Sequence, residues 1–128
     1  MKAILDTHTF IWLDSDPAKV SAVVLGYVNA PNCTVLLSVV SVWEMVFKSQ
    51  LGKLSLRAAV RQVVDEQLQT NPLQLLPIGY EHALTVGTLP TAHKDPFDRL
   101  LIAQAIVEGA VVLTADPAFQ HYPVQTAW

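Results

Sequence analysis

Asp95 and Asp98 stand three residues apart in the stretch HKDPFDRLLIAQA, His93 to Ala105, at the mouth of an apolar helical pattern. Proline is favoured at the first helical position because its missing N–H would be unpaired there anyway, so Asp95 falls at the cap and Asp98 within the first turn. At about 100° per residue, Asp98 shares an azimuth with Ala105, Ile102 and, further round, Leu101, the apolar stripe that must face the core. A carboxylate turned toward a core is costly unless it is hydrogen-bonded, paired or bound to a cation. Either Asp98 bonds back to the cap residue, as in a capping box, or it works in company with other acids.

Three further acids are candidates for that company. Asp6 and Asp116 each close an apolar run, KAILD and AVVLTAD, and each precedes a helical pattern. Each is a good helix cap. Each also occupies the strand-end position where ligands gather in a parallel α/β sheet. Glu44 lies in SVVSVWEMVFKSQL, apolar around most of its helical circumference and therefore largely buried. Lys48, four residues on, is placed to form a helical ion pair with it.

Like charges gathered in one crevice raise one another's pKa unless a divalent cation neutralises them. Oxygen-only ligands select a hard ion, Mg or Mn, which also takes phosphate oxygens. The chemistry expected of Asp6, Glu44, Asp98 and Asp116 is metal-assisted phosphodiester hydrolysis, in which bound water is the nucleophile and no protein nucleophile is needed. One ion or two would serve. Thr7 and Thr114 flank the strand-end aspartates and are candidates to orient them, or are simply parts of turns.

The elements that must position these groups read as α/β. KAILD, TVLLSV and AVVLTAD are short apolar runs suited to strands buried on both faces, with PVQTAW a candidate final strand. Helical patterns cover Thr7 to Leu13, Ser21 to Asn29, Ser41 to Leu51, Leu56 to Gln69, Tyr80 to Gly87 and Phe97 to Glu108. Their alternation predicts a three-layer α/β/α arrangement with a mostly parallel central sheet. No repeat, linker or charge block divides residues 1–128, so a single domain is expected.

Composition narrows the setting. The 128 residues are 52% hydrophobic and carry 8 Lys and Arg against 11 Asp and Glu, a net charge of −3, which offers no bulk attraction for nucleic acid. Any anionic substrate must be held locally. Half of the basic residues, Lys48, Lys53, Arg57 and Arg61, fall within one short segment, and the helical pattern puts Arg57 and Arg61 on one face, either beside an RNA path or as an ordinary solvated surface with Arg61 paired to Asp65. Arg99 points away from the inward stripe, toward a phosphate or a protein partner. Phe10, Trp12 and Trp43 are candidates for a partner groove or for plain core packing. Cys33 is the only cysteine, and no apolar run is long enough to span a bilayer, so a cytoplasmic protein without membrane association is expected. The histidines His8, His82, His93 and His121 lack zinc-ligand spacing and read as surface or locally bonded residues. An aspartyl-nucleophile phosphatase would need a second Asp where His8 stands.

Taken together, ILDTH, SVVSVWEM, LGKLSL, HKDPFDRLLIAQA and VVLTADPAF resemble, in order and spacing, the PIN-domain family, and within it the VapC-like toxin ribonucleases of toxin-antitoxin systems. The resemblance implies a Mg- or Mn-dependent endoribonuclease, commonly a homodimer, silenced by a cognate antitoxin protein. It implies Asp6, Glu44, Asp98 and Asp116 as the metal-binding acids, with Asp95 a cap first and an auxiliary ligand second. The competing expectation is a catalytically idle module of the same fold that binds RNA or protein.

Overall fold

The computed structural model describes residues 1–91 and 95–128. Its sheet is built from β1 (Lys2–Leu5), β2 (Thr34–Ser38), β3 (Leu73–Leu76), β4 (Val111–Leu113) and β5 (Thr126–Ala127), in the order β3-β2-β1-β4-β5 with every pair parallel. Alternating strand residues feed two cores. Ala3, Leu5, Val35, Leu37 and Leu113 face one side, and Ile4, Leu36 and Val112 face the other, all of them buried. The first side is covered by α1 (Thr7–Ser15), α2 (Ala22–Asn29), α3 (Val39–Gln50) and α4 (Val60–Thr70), which contribute Phe10, Val24, Met45 and Val63. The second is covered by α5 (Tyr80–Val86), α6 (Pro96–Glu108) and a 3-10 turn at Pro117–His121, with Leu101, Ile102 and Phe119 buried against the sheet. Two-sided coverage is why the strands are continuous apolar runs rather than alternating ones. The expected three-layer parallel α/β/α architecture is the one present.

Two expectations need correction. β3 was not among the expected strands: its sequence, LQLL, lies between Pro72 and Pro77, and as an edge strand it buries only Leu73 and Leu76. Helix α4 begins at Val60 rather than Leu56, and Arg57 precedes it. An ion pair with α1, described below, holds Arg57 in the preceding loop.

The strand order sets the position of the crevice. From β1 the chain proceeds to β2 on one side, whereas β4 lies on the other, so the order reverses at the β1–β4 boundary. In open α/β sheets ligands enter beyond the carboxyl ends of the strands at such a reversal. Asp6 and Asp116 follow β1 and β4, and the register pairs Leu5 with Leu113 just before them.

Candidate active site

Asp6 is buried at the end of β1 and does two things at once. One oxygen, Oδ1, accepts the Thr9 N–H at 2.7 Å and so caps α1, while Oδ2 accepts the Thr114 hydroxyl. Thr114 Oγ1 in turn accepts the Asp116 N–H at 3.0 Å. This single buried hydroxyl therefore ties the ends of β1 and β4 together. Asp116 caps the 3-10 turn through the Ala118 N–H at 2.9 Å and is exposed. Asp6 and Asp116 thus each cap the helix or turn that follows their strand, and both line one recess described below.

Glu44, on α3, is 3% exposed. Its Oε1 accepts the Thr7 hydroxyl at 2.6 Å, and its Oε2 pairs with the Lys48 ammonium. Thr7 Oγ1 also lies 2.9 Å from Ser41 Oγ. A hydroxyl has one proton, so Thr7 donates to Glu44 and accepts from Ser41. Thr7 thus orients Glu44 rather than the neighbouring Asp6, a correction to the sequence expectation. Ser41 was not anticipated, although its i−3 spacing from Glu44 on an apolar helix was a usable signal.

Asp95 caps α6, its Oδ1 accepting the Phe97 and Asp98 N–H groups at 2.9 and 3.2 Å. Asp98 is half-buried one turn in, on the face continued by the buried Leu101, Ile102 and Ala105. Burial first, and then the charges of Asp95, Glu44, Asp6 and Asp116, together push its carboxyl up to about 7. The four other acids proposed for the crevice all act electrostatically on this one group. The Lys48 ammonium is raised by its bond to Glu44 and by the charges of Glu44, Asp95 and Asp98, which locates it at the same crevice.

Two recesses flank His8, which is exposed on the first turn of α1. One, of about 170 Å³, is lined by Asp6, His8, Trp12 and Asp116. The other, of about 220 Å³, is lined by Thr7, His8, Glu44, Lys48 and Lys53. His8 was expected as a surface or locally bonded residue, and its place between the two recesses depends on packing that its neighbours in sequence do not announce. His93 lies outside the described residues.

Several expected nucleic-acid and partner contacts are otherwise engaged. Arg57 grips the buried carboxylate of Asp14 through Nε and Nη2, at 2.8 to 3.1 Å, and meets Glu66 at 2.6 Å. It shares no helical face with Arg61, which is exposed on α4. Arg99 turns to the Pro90 carbonyl at 2.6 Å, the Tyr122 hydroxyl at 3.3 Å and the Val86 carbonyl at 3.4 Å, so it straps α6 to the loops around it instead of facing a phosphate. Phe10 is fully buried core. Trp12 packs edge-on against Trp128, whereas Trp43, half-exposed, packs against Phe97, so the three aromatics form no common groove. His82 is a locally bonded core residue: Nδ1 accepts the Gly79 N–H at 2.8 Å, which leaves Nε2 to donate to Glu108 at 3.0 Å.

The donor set of the crevice is all oxygen, which suits a hard divalent ion, and the mutual repulsion centred on Asp98 is what such an ion relieves. Among the described residues no three His, Cys, Asp or Glu side chains stand in an arrangement that would hold one ion. The oxygens of Asp6 and Glu44 are engaged by Thr9, Thr114, Thr7 and Lys48 instead. The expected ligands are brought to one crevice, but not into a closed coordination shell.

A parallel sheet with acids from two strand ends and two helices gathered at its carboxyl edge defines the class: an α/β protein with an acidic crevice. Residues 3–125 match the model of the PIN domain family, and the chain belongs to that family. The fold is similar to structures of VapBC2 from Rickettsia felis bound to a promoter DNA fragment, with a TM-score of 0.77 and 18% identity over 99% of this chain and 98% of that one. It is also similar to VapBC-1 from nontypeable Haemophilus influenzae, at 0.71 and 21% over 99% and 97%, and to DNA-bound VapBC from Salmonella typhimurium, at 0.68 and 15% over 99% and 97%. A search of curated proteins finds no match. Among the described residues no helix is long and apolar enough to cross a membrane.

Proposed function

We propose that this chain is a Mg- or Mn-dependent endoribonuclease that hydrolyses RNA phosphodiester bonds and acts as the toxin of a toxin-antitoxin pair. The observation that carries the reading is the gathering of Asp6, Glu44, Asp95 and Asp116 about the half-buried Asp98, whose carboxyl is raised to about 7. Asp6, Glu44, Asp98 and Asp116 would hold the ion. When bound, the ion would lower the pKa of a water so that hydroxide is available as the nucleophile, and would neutralise the charge developing on the phosphoryl oxygens.

The protein's own part is positioning. Thr114 fixes the Asp6 carboxylate and, through the Asp116 N–H, the loop after β4. Thr7 and Ser41 fix Glu44. Lys53 and Arg61 remain as basic side chains for an RNA backbone; Arg57, Arg99 and, through Glu44, Lys48 are engaged by partners within the chain. The toxin reading draws on the likeness to chains in VapBC complexes; a cognate antitoxin, a homodimer and a cytoplasmic location are part of the same proposal.

Purified protein is expected to cut RNA with Mg or Mn and not in EDTA. Asp6→Asn and Asp98→Asn variants that keep the native circular dichroism should lose the activity. Full activity in both would assign the cleavage to a contaminant, and folded wild-type protein that binds RNA without cutting it would favour the idle-module alternative.

A further inference from the structure

We infer that Lys48 is the protein's own counter-cation for the acidic crevice: its ammonium holds Glu44 in the metal-free chain and gives that carboxylate up when a divalent ion enters. The inference rests on the metal-dependent reading above and adds to it the residue that competes with the metal.

Helical geometry places Lys48 one step of four beyond Glu44, on the same side of α3. An ordinary pair at this spacing on a solvated surface contributes little. This one differs because Glu44 is 3% exposed, and an ionised carboxylate so far from water is stable only when its oxygens are satisfied. Thr7 satisfies one oxygen and Lys48 the other. Lys48 also feels Asp95 and Asp98 across the crevice from α6, so its charge balances more than its own partner.

A lysine ammonium has three donors and no acceptor, so it cannot become a metal ligand alongside the carboxylate it binds. A divalent ion arriving at Glu44 Oε2 meets a positive charge already in contact with that oxygen, and the two cations repel at short range. One of them must leave. Lys48 is the mobile one: its side chain is 31% exposed and lines the recess of about 220 Å³ shared with Lys53 and His8, which gives the released ammonium somewhere to go.

The test uses the full chain and Mn²⁺ as the probe. Isothermal titration of wild type, Lys48→Met and Lys48→Arg should show Lys48→Met binding Mn²⁺ about ten-fold more tightly, the order expected when one unit charge is removed beside a bound divalent ion, while Lys48→Arg stays near wild type. A second measurement needs no variant. Labelling of Lys48 by an amine-reactive reagent, read by mass spectrometry, should rise when wild type is saturated with Mn²⁺, because the ammonium is no longer paired. Unchanged affinity in folded Lys48→Met, or unchanged labelling in Mn²⁺-bound wild type, overturns the inference and leaves the metal reading standing. Wild type that binds no Mn²⁺, or Asp98→Asn that binds it as tightly as wild type, removes the metal reading and the inference together.

Discussion

At the scale of single residues, Asp98 reports on the whole crevice. Its folded carboxyl titrates at about 7, against 3.8 for the ordinary group. Between those values the native state binds more protons than the unfolded chain, so the stability associated with Asp98 is fully present at low pH and is lost as pH rises through about 7. In EDTA, wild type should therefore lose about 2 kcal/mol between pH 5 and 8, a figure discounted for the group's partial exposure, and Asp98→Asn should be flatter over that window. Denaturant titrations at several pH values measure this. Thr114 carries a different burden, because one buried hydroxyl serves both Asp6 and the Asp116 N–H. Thr114→Val keeps the shape and removes both bonds. It should cost about 1 to 3 kcal/mol of stability and weaken Mn²⁺ binding by about 10- to 100-fold, as loss of a group that orients a ligand does. A variant with wild-type Mn²⁺ affinity would show that Thr114 serves the fold alone.

At the scale of elements, the start of α6 separates capping from chemistry. Asp95→Asn keeps an oxygen for the Phe97 and Asp98 N–H groups but deletes a charge, so the Asp98 carboxyl should titrate below about 7 while the helix stays intact. Asp95→Ala deletes the cap as well and should cost about 1 kcal/mol more. Carboxyl NMR titrations and chemical denaturation distinguish the two. The other end of α6 was plain from its sequence: Gly109 takes φ 63° at the C-cap, a left-handed conformation that favours glycine. The start of α4 was not plain. The residues from Leu56 to Val60 suit a helix well enough, but Arg57 is drawn to Asp14 on α1, and that pull comes from a helix more than forty residues away in sequence. β3 was hidden for a related reason, since an edge strand that buries only two of its residues leaves a weak pattern.

At the scale of the whole molecule, the crevice is shared by elements on both sides of the sheet, so an ion that binds there only in the folded state must stabilise everything that builds it. Mn²⁺ at about 100 times its dissociation constant should add about 2.7 kcal/mol to wild-type stability, and much less to Asp98→Asn. Thermal melts with and without the ion measure the difference, and an equal shift in both proteins would place the binding elsewhere. The sequence by itself determined the alternation of strands and helices, the two-sided burial of the sheet and the positions of Asp6, Glu44, Asp98 and Asp116 at element ends or on buried faces, because these follow from local periodicity and from the cost of an unpaired carboxylate near a core. Only the tertiary structure decided that β1 and β4 are neighbours, that Thr7 serves Glu44, that Arg57 and Arg99 are consumed internally, and that Phe10 is core rather than surface. Those outcomes depend on which groups from distant parts of the chain meet once the two cores close, and hydrogen bonds and ion pairs between such groups leave no period in the sequence.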